Sequence, residues 1–302
     1  MRGVSFPPLP EPLPAAVVDN HTHLDIVRGD ESLPVEEALA QAAAVGVTRV
    51  VQIGCDLPGA RWAVEAAETY ENMVAGVALH PNDAPRQPDL EAALDEIEKL
   101  AGAHDKVRVV GETGMDFFRT DEEGRETQAY SFRRHIDIAK RLDKTLMIHD
   151  RDAHDAVLEV IDSVGPPERW VMHCFSGDPE FARQCLDRGA YLSFAGTVTF
   201  KNAQYLRDAL AITPQDRILV ETDAPFLTPH PHRGAVNSSY MIPATMRVMA
   251  EVRGEDLEVL CNGETPNRGR AFGGSCSSQA RTGDGPSATA GAPSRCDQVR
   301  RR

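Results

Sequence analysis

Between residues 16 and 272 the chain alternates short Val/Ile/Leu runs with amphipathic stretches eight times, and few folds accommodate that rhythm. Strands are predicted over 16–20, 48–53, 73–79, 107–111, 145–148, 169–172, 190–194 and 217–220. Helices are predicted between them over 35–44, 58–70, 89–100, 123–141, 153–164, 179–188, 203–211 and 242–252. Even alternation of this kind points to an α/β fold, a (β/α)8 barrel of about 250 residues. A doubly wound sheet competes, but would have to divide the alternation between two domains. Residues 1–15 are proline-rich and are expected to drape over the barrel as a lead-in. Residues 273–302 are rich in Gly, Ser, Ala, Pro and Arg, carry five arginines against two aspartates, and are expected to be a disordered basic tail.

Composition limits the function. With 32 basic and 46 acidic residues the formal charge is −14, a field that disfavours a protein coating DNA irrespective of sequence. A nucleic-acid enzyme remains admissible, because metal ions reverse the sign locally in an acidic pocket. The six cysteines form no CxxC pair, which reads as reduced thiols. No apolar run is long enough for a membrane span, and the proline-dense start lacks the apolar helix of a secretory signal, so a cytoplasmic protein with no membrane association is expected. No feature predicts a stable protein partner.

The chemistry sits at the strand ends. His21 and His23 follow the first predicted strand, Glu112 ends the fourth, His149 the fifth and His173 the sixth, and Asp223 lies just past the eighth. Barrel enzymes place their active sites at this carboxyl end. Side chains at i and i+2 of an extended segment point the same way, so His21 and His23 offer two imidazoles to one point. A lone histidine at a strand end is usually an ordinary polar residue, but six metal-competent residues at the ends of five strands of one barrel are hard to assign to chance. Four imidazoles and two carboxylates suffice for two divalent ions, with Glu112 able to bridge them. Imidazole suits Zn, Fe, Mn or Ni better than Mg, and carboxylates accept either kind, so ligand type does not fix the metal; two divalent ions per chain, Zn, Mg or Mn, are expected.

The sequence resembles TatD-type metal-dependent hydrolases of the amidohydrolase superfamily. The resemblance is carried by Val17-Val18-Asp19-Asn20-His21-Thr22-His23-Leu24-Asp25, Ala78-Leu79-His80-Pro81, Gly111-Glu112-Thr113-Gly114-Met115-Asp116-Phe117-Phe118 and Ile148-His149-Asp150-Arg151. It continues through His173-Cys174-Phe175-Ser176-Gly177, Glu221-Thr222-Asp223-Ala224-Pro225-Phe226-Leu227 and Arg233-Gly234-Ala235-Val236-Asn237. It implies a TIM barrel and metal-dependent hydrolysis, most often as a deoxyribonuclease that attacks DNA ends in the 3′→5′ direction. It also implies that His21, His23, Glu112 and Asp223 hold one ion, and Glu112, His149 and His173 the second. An ester, lactone, amide or D-aminoacyl-tRNA substrate is the alternative. Two departures stand out: Ser238-Ser239 replace the family's Glu-Pro in a loop expected to shape the substrate mouth, and Gly263 and Pro266 are expected to interrupt the last helix before Asn267-Arg268-Gly269-Arg270-Ala271-Phe272.

In this reading Glu112 and Asp223 are catalytic, Asp223 being the proton acceptor for the attacking water. Neutral imidazoles are required, so activity is expected to fall at acid pH. Asp19 and Asp25 are placed to orient the two imidazoles between them, a surface carboxylate or an N-cap being the alternative for Asp25. His80, Arg151 and Arg233 are candidate substrate contacts; a His-Pro turn and salt bridges to loop acids are the plainer alternatives. Asp116, Phe117 and Phe118 are expected to close the loop over the site, the phenylalanines either packing on the barrel or stacking a base. His104, His135 and His154 are expected to face solvent on helices, and His230 and His232 are not expected to be ligands.

Overall fold

The computed structural model describes residues 5–29 and 32–272. Eight strands pair in parallel in chain order: β1 (Val17–Thr22), β2 (Val47–Gly54), β3 (Met73–Val77), β4 (Val107–Asp116), β5 (Thr145–Arg151), β6 (Trp170–Met172), β7 (Tyr191–Phe194) and β8 (Ile218–Val220). A parallel bridge between Thr22 and Ala224 ties the exit of β8 back to β1. The result is a nearly closed (β/α)8 TIM barrel, and the doubly wound alternative is excluded.

Its outer layer comprises α1 (Val35–Ala44), α2 (Leu57–Thr69), α3 (Leu90–Gly102), α4 (Glu122–Arg141), α5 (His154–Val164), α6 (Pro179–Asp187), α7 (Gln204–Ile212) and α8 (Ile242–Arg253), followed by α9 (Leu257–Phe272). Aspartates set four of the starts. Asp56, Asp89, Asp121 and Asp178 accept from the amides of Gly59, Ala92, Gly124 and Phe181, giving partners to donors that the first helical turn cannot pair. One apolar layer lies between sheet and helices. A second fills the barrel interior with Val18, Val51, Ile53, Val109, Met147, Val171, Tyr191 and Leu219, which is why the barrel is a packed core with chemistry only at its mouth.

Three expectations are corrected. The last helix is not interrupted: α9 runs through Gly263 and Pro266 to Phe272. Proline in a helix interior costs about 3 kcal/mol, and here tertiary contacts offset it. Glu264 accepts from Asn20 Nδ2 at 2.9 Å, Asn267 Nδ2 donates to Ile218 O at 3.0 Å, and Ala271 and Phe272 pack into the barrel interior. Strands β4 and β5 run further than predicted, because Gly114 to Asp116 pair with His149 to Arg151; Glu112 and His149 thus sit within strands, as does His21 in β1. Gly114 has φ +138, and a Cβ there would lie 2.1 Å from His149 O, so only glycine allows this pairing beside the site.

The third correction concerns histidines. His104 lies beyond the end of α3, where its Nδ1 accepts from Lys106 N. His154 opens α5 half-buried, bonded to Asp150 and stacked on Phe181. His135 is fully buried in α4: Nδ1 donates to Ser131 O at 2.7 Å and Nε2 accepts from Leu79 N at 3.1 Å, which fixes the exit of β3 next to His80.

Burial drives His135 down to about 4 from its ordinary 6.5, against the bond to Ser131 and with the nearby Arg134 charge assisting. The unfolded chain therefore takes up a proton between pH 6.5 and 4 that the folded chain refuses. This contribution to stability is complete above pH 6.5 and is lost as pH falls towards 4, in all about 3 kcal/mol. Urea unfolding of the His135→Gln variant between pH 7 and 4 should show a pH-dependence smaller than wild type by about that amount. Equal slopes in the two proteins would refute this assignment.

Residues 5–15 follow the barrel surface. Leu13 is buried and its amide bonds to Val45 O, and Tyr240 Oη donates to Pro7 O. The expectations for residues 1–4 and for the tail 273–302 lie outside the described residues. Among the described residues no helix is long and apolar enough to cross a membrane.

Candidate metal centre

All six residues expected as ligands converge at the carboxyl end of the barrel. Glu112, only 4% exposed, projects from β4 between two donor groups. Its Oε1 lies 3.4 Å from His21 Nε2 and 3.6 Å from His23 Nε2. These two nitrogens are 3.1 Å apart, and Asp223 Oδ1 lies 3.4 and 3.7 Å from those of His23 and His21. Its Oε2 lies 2.8 Å from His173 Nε2, 3.1 Å from His149 Nδ1 and 3.8 Å from His80 Nε2. Bonds of about 2.1 Å to one cation set ligand–ligand edges of about 3.4 Å in a tetrahedron. The observed separations, 2.8–3.8 Å, scatter about that edge, so the donor sets could hold divalent cations in spacing as well as in chemistry.

Three of the four imidazoles are fixed by an oxygen on their far side, and His21 Nδ1 meets Met147 Sδ at 3.0 Å. His23 Nδ1 lies 2.9 Å from Ile53 O, an atom that only accepts, so in the neutral ring Nδ1 carries the hydrogen and Nε2 offers its lone pair to the centre. Glu221 does the same for His173, at 3.1 Å from Nδ1, and also accepts from Cys174 N. Asp116 Oδ2 lies 3.2 Å from His149 Nε2, turning Nδ1 towards Glu112. Asp116 is itself anchored by Asn82 Nδ2 and by the amides of Phe118 and Arg119. Carboxylates behind imidazoles of this kind set the tautomer and raise ligand basicity.

The centre attracts positive charge. Burial opposes the ionised form of Glu112, yet His173 and His21 beside it hold the carboxyl well below its ordinary range. Burial likewise opposes protonation of His23, and Asp223 and Glu112 still push it up to about 9. The field that draws protons here draws metal cations equally, so the two compete at low pH.

Asp19 and Asp25 touch neither imidazole. Asp19 accepts from His21 N, from the amide and hydroxyl of Thr222, and from Ser239 Oγ, locking β1 to the segment that carries Asp223; burial raises it to about 6 against those bonds. Asp25 accepts from Gln52 Nε2, whose Oε1 in turn accepts from Leu24 N. Ser238 and Ser239 are buried, and Ser239 serves Asp19, so this pair does not line the main cavity at the mouth as expected.

That cavity, of about 730 Å³, is walled by the centre together with Ile26, Cys55, Arg119, Arg151 and Phe226. The turn reading of His80 is seen, since Nδ1 accepts from Asn82 N within the His-Pro turn; its Nε2 lies on the cavity wall, 3.8 Å from Glu112 Oε2. Arg151 lies on the cavity wall with its guanidinium 3.9 Å over the Phe118 ring, which is 63% exposed and therefore not packed on the barrel. Arg233 stacks on Phe200, away from that wall. Neither arginine forms a salt bridge among the described residues. His230 and His232 stay outside the centre.

Sequence reasoning placed Asp116 in a loop over the site but missed its role behind His149, and missed the roles of Glu221, Gln52 and Cys55. Asp116 and Glu221 repeat the period-two signal already seen in His21 and His23: Glu112 and Asp116 share one face of β4, and Glu221 and Asp223 are two apart. Gln52 is a polar residue within an otherwise apolar strand.

A family model described as TatD related DNase matches residues 18–273. An uncharacterized metal-dependent hydrolase TatD of Mycobacterium tuberculosis is 45% identical over 261 residues, covering 85% of this chain and 98% of its own length. YabD, an uncharacterized metal-dependent hydrolase of Bacillus subtilis, is 37% identical over 255 residues, covering 84% and 98%. The crystal structure of YjjV, a TatD homologue from Escherichia coli K12, is similar with a TM-score of 0.78 at 26% identity, covering 85% of this chain and 97% of that one. With the match extending from β1 to the end of α9, the chain belongs to the TatD family of metal-dependent hydrolases.

Proposed function

We propose that this metal-dependent hydrolase is a deoxyribonuclease that removes nucleotides from DNA ends, working 3′→5′ with two divalent ions. One observation carries the two-ion part: Glu112 turns one oxygen to His21 and His23 and the other to His149 and His173. His21, His23, Asp223 and Glu112 would hold one ion, and Glu112, His149 and His173 the other. Bound there, the ions would acidify a water and neutralise charge growing on the attacked phosphorus.

The remaining work belongs to the protein. Asp223 accepts the proton of the attacking water. Glu221, Asp116 and Ile53 O hold three imidazoles in the tautomer that leaves a lone pair free. Arg151, on the cavity wall, pairs with a non-bridging phosphate oxygen of the substrate, and His80 lies within reach of the same phosphate. Arg233, off that wall, would act further along the strand. DNA as substrate is supported by the described family and by guanidinium groups at the mouth of an otherwise acidic protein.

The test is end-labelled single-stranded and duplex DNA, with the protein stripped by EDTA and then reloaded with Zn²⁺, Mg²⁺ or Mn²⁺. Stepwise shortening from the 3′ end that EDTA abolishes and one of these ions restores is the expected result. Metal-loaded protein that leaves both DNAs intact overturns the substrate and points to esters, lactones, amides or D-aminoacyl-tRNA.

A further inference from the structure

The first donor group has a sulfur neighbour. Cys55 is the residue directly after β2, half-buried on the wall of the catalytic cavity. Its Sγ lies 3.3 Å from Glu112 Oε1, the same oxygen that faces His21 and His23 through their Nε2 atoms; His23 Nδ1, 3.8 Å from the sulfur, is turned to Ile53 O and is not the donor to the ion. The residue is held in place: its carbonyl accepts from His80 N at 2.8 Å. His23, Cys55 and Glu112 together present donor atoms close enough to share one cation. A sulfur bond of about 2.3 Å and an oxygen bond of about 2.1 Å to one ion set a sulfur–oxygen edge of about 3.1–3.6 Å, and the observed distance falls within it.

Building on the two-ion reading above, we propose that Cys55 is a further ligand of the first metal position, making that position selective for a thiophilic divalent cation of the zinc class. On binding, the thiol proton leaves to solvent and a sulfur lone pair forms the bond to the ion. The second position, around His149 and His173, has no sulfur donor in its candidate set among the described residues. The two positions therefore differ in softness: imidazole and thiolate on one side favour zinc-class ions, while the other accepts Mn²⁺ as readily.

The experiment uses the full chain, stripped of metal, reduced without added thiol and titrated with Co²⁺. Visible ligand-field bands report cobalt at the centre, and a near-ultraviolet sulfur-to-cobalt charge-transfer band reports a thiolate bond. Wild type should show both. Cys55→Ser should keep the visible bands and lose the charge-transfer band, with Cd²⁺ affinity lower by about 10-fold or more and Mn²⁺ affinity within about 2-fold. Cys174→Ser, and the double variant Cys276→Ser/Cys296→Ser, should keep the band. Visible bands without charge transfer in wild type, or a charge-transfer band that survives in Cys55→Ser, overturns the assignment while leaving the two-ion reading intact. Absence of any cobalt spectrum overturns both. If the serine variant folds poorly, an absent band in wild type still overturns the assignment, and a band that survives in Cys174→Ser and in the double variant supports it.

Discussion

Glu112→Gln is expected to lower kcat/KM on a 3′-labelled DNA by about 10³-fold or more, roughly 4 kcal/mol of lost transition-state stabilisation. Glutamine keeps the length and shape of the side chain, so the packing of β4 against β5 is undisturbed. Its single oxygen, however, serves only one donor group. The amide nitrogen turns two hydrogens towards either the His21/His23 pair or the His149/His173 pair, whose lone pairs require a cation. The negative charge held among these imidazoles is also lost, and with it the local attraction for cations. Bound divalent ions, counted by mass spectrometry on the purified protein, should fall from about two per chain to about one or none. A variant that retains both ions and nearly the wild-type rate would remove Glu112 from its bridging role.

The centre could be read from residues because barrel closure is a simple geometric rule. Once eight strands alternate with helices, whatever follows each strand meets at one mouth, and His21, His23, Glu112, His149, His173 and Asp223 come together without knowledge of the loops. What stayed hidden depends on contacts between distant segments. Asp19 looked like a partner for the neighbouring imidazoles, but Thr222 and Ser239, some 200 residues away in sequence, claim its oxygens. Helix α9 looked broken because local propensity penalises Pro266, whereas its bonds to β8 and β1 through Asn267 and Glu264 prevail. His135 looked like a surface residue because its neighbours Arg133, Arg134 and Asp137 are charged, and only the bond from Leu79 N reveals which face of α4 it occupies. Arg151 could not be assigned from sequence between a salt bridge and a free guanidinium, since the answer lies in the Phe118 ring beneath it.

The second large effect is expected at Asp223, and it separates a base from a ligand. Asp223 is 16% exposed in its side chain and follows β8 in a left-handed conformation, φ +54, which aims the carboxylate back over the barrel mouth towards His21 and His23. Burial works against its ionised form, but the bond to His23 and the charges of His21, His23 and His173 keep it below the ordinary carboxylate value. The carboxylate is therefore held in its ionised form, which a cation ligand and a proton acceptor both require. Asp223→Asn preserves an oxygen for the first donor group and removes the basicity. At saturating Mn²⁺ and DNA, kcat should fall by about 10²–10⁴-fold, the range lost with a general base, while Mn²⁺ affinity falls by only about 10-fold. The two quantities must be measured separately, because a residue that only binds metal fails in a different way. If raising Mn²⁺ restores the wild-type kcat in Asp223→Asn, Asp223 is a ligand alone, and the proton goes elsewhere. A kcat that stays depressed with the ions fully bound assigns the proton to Asp223.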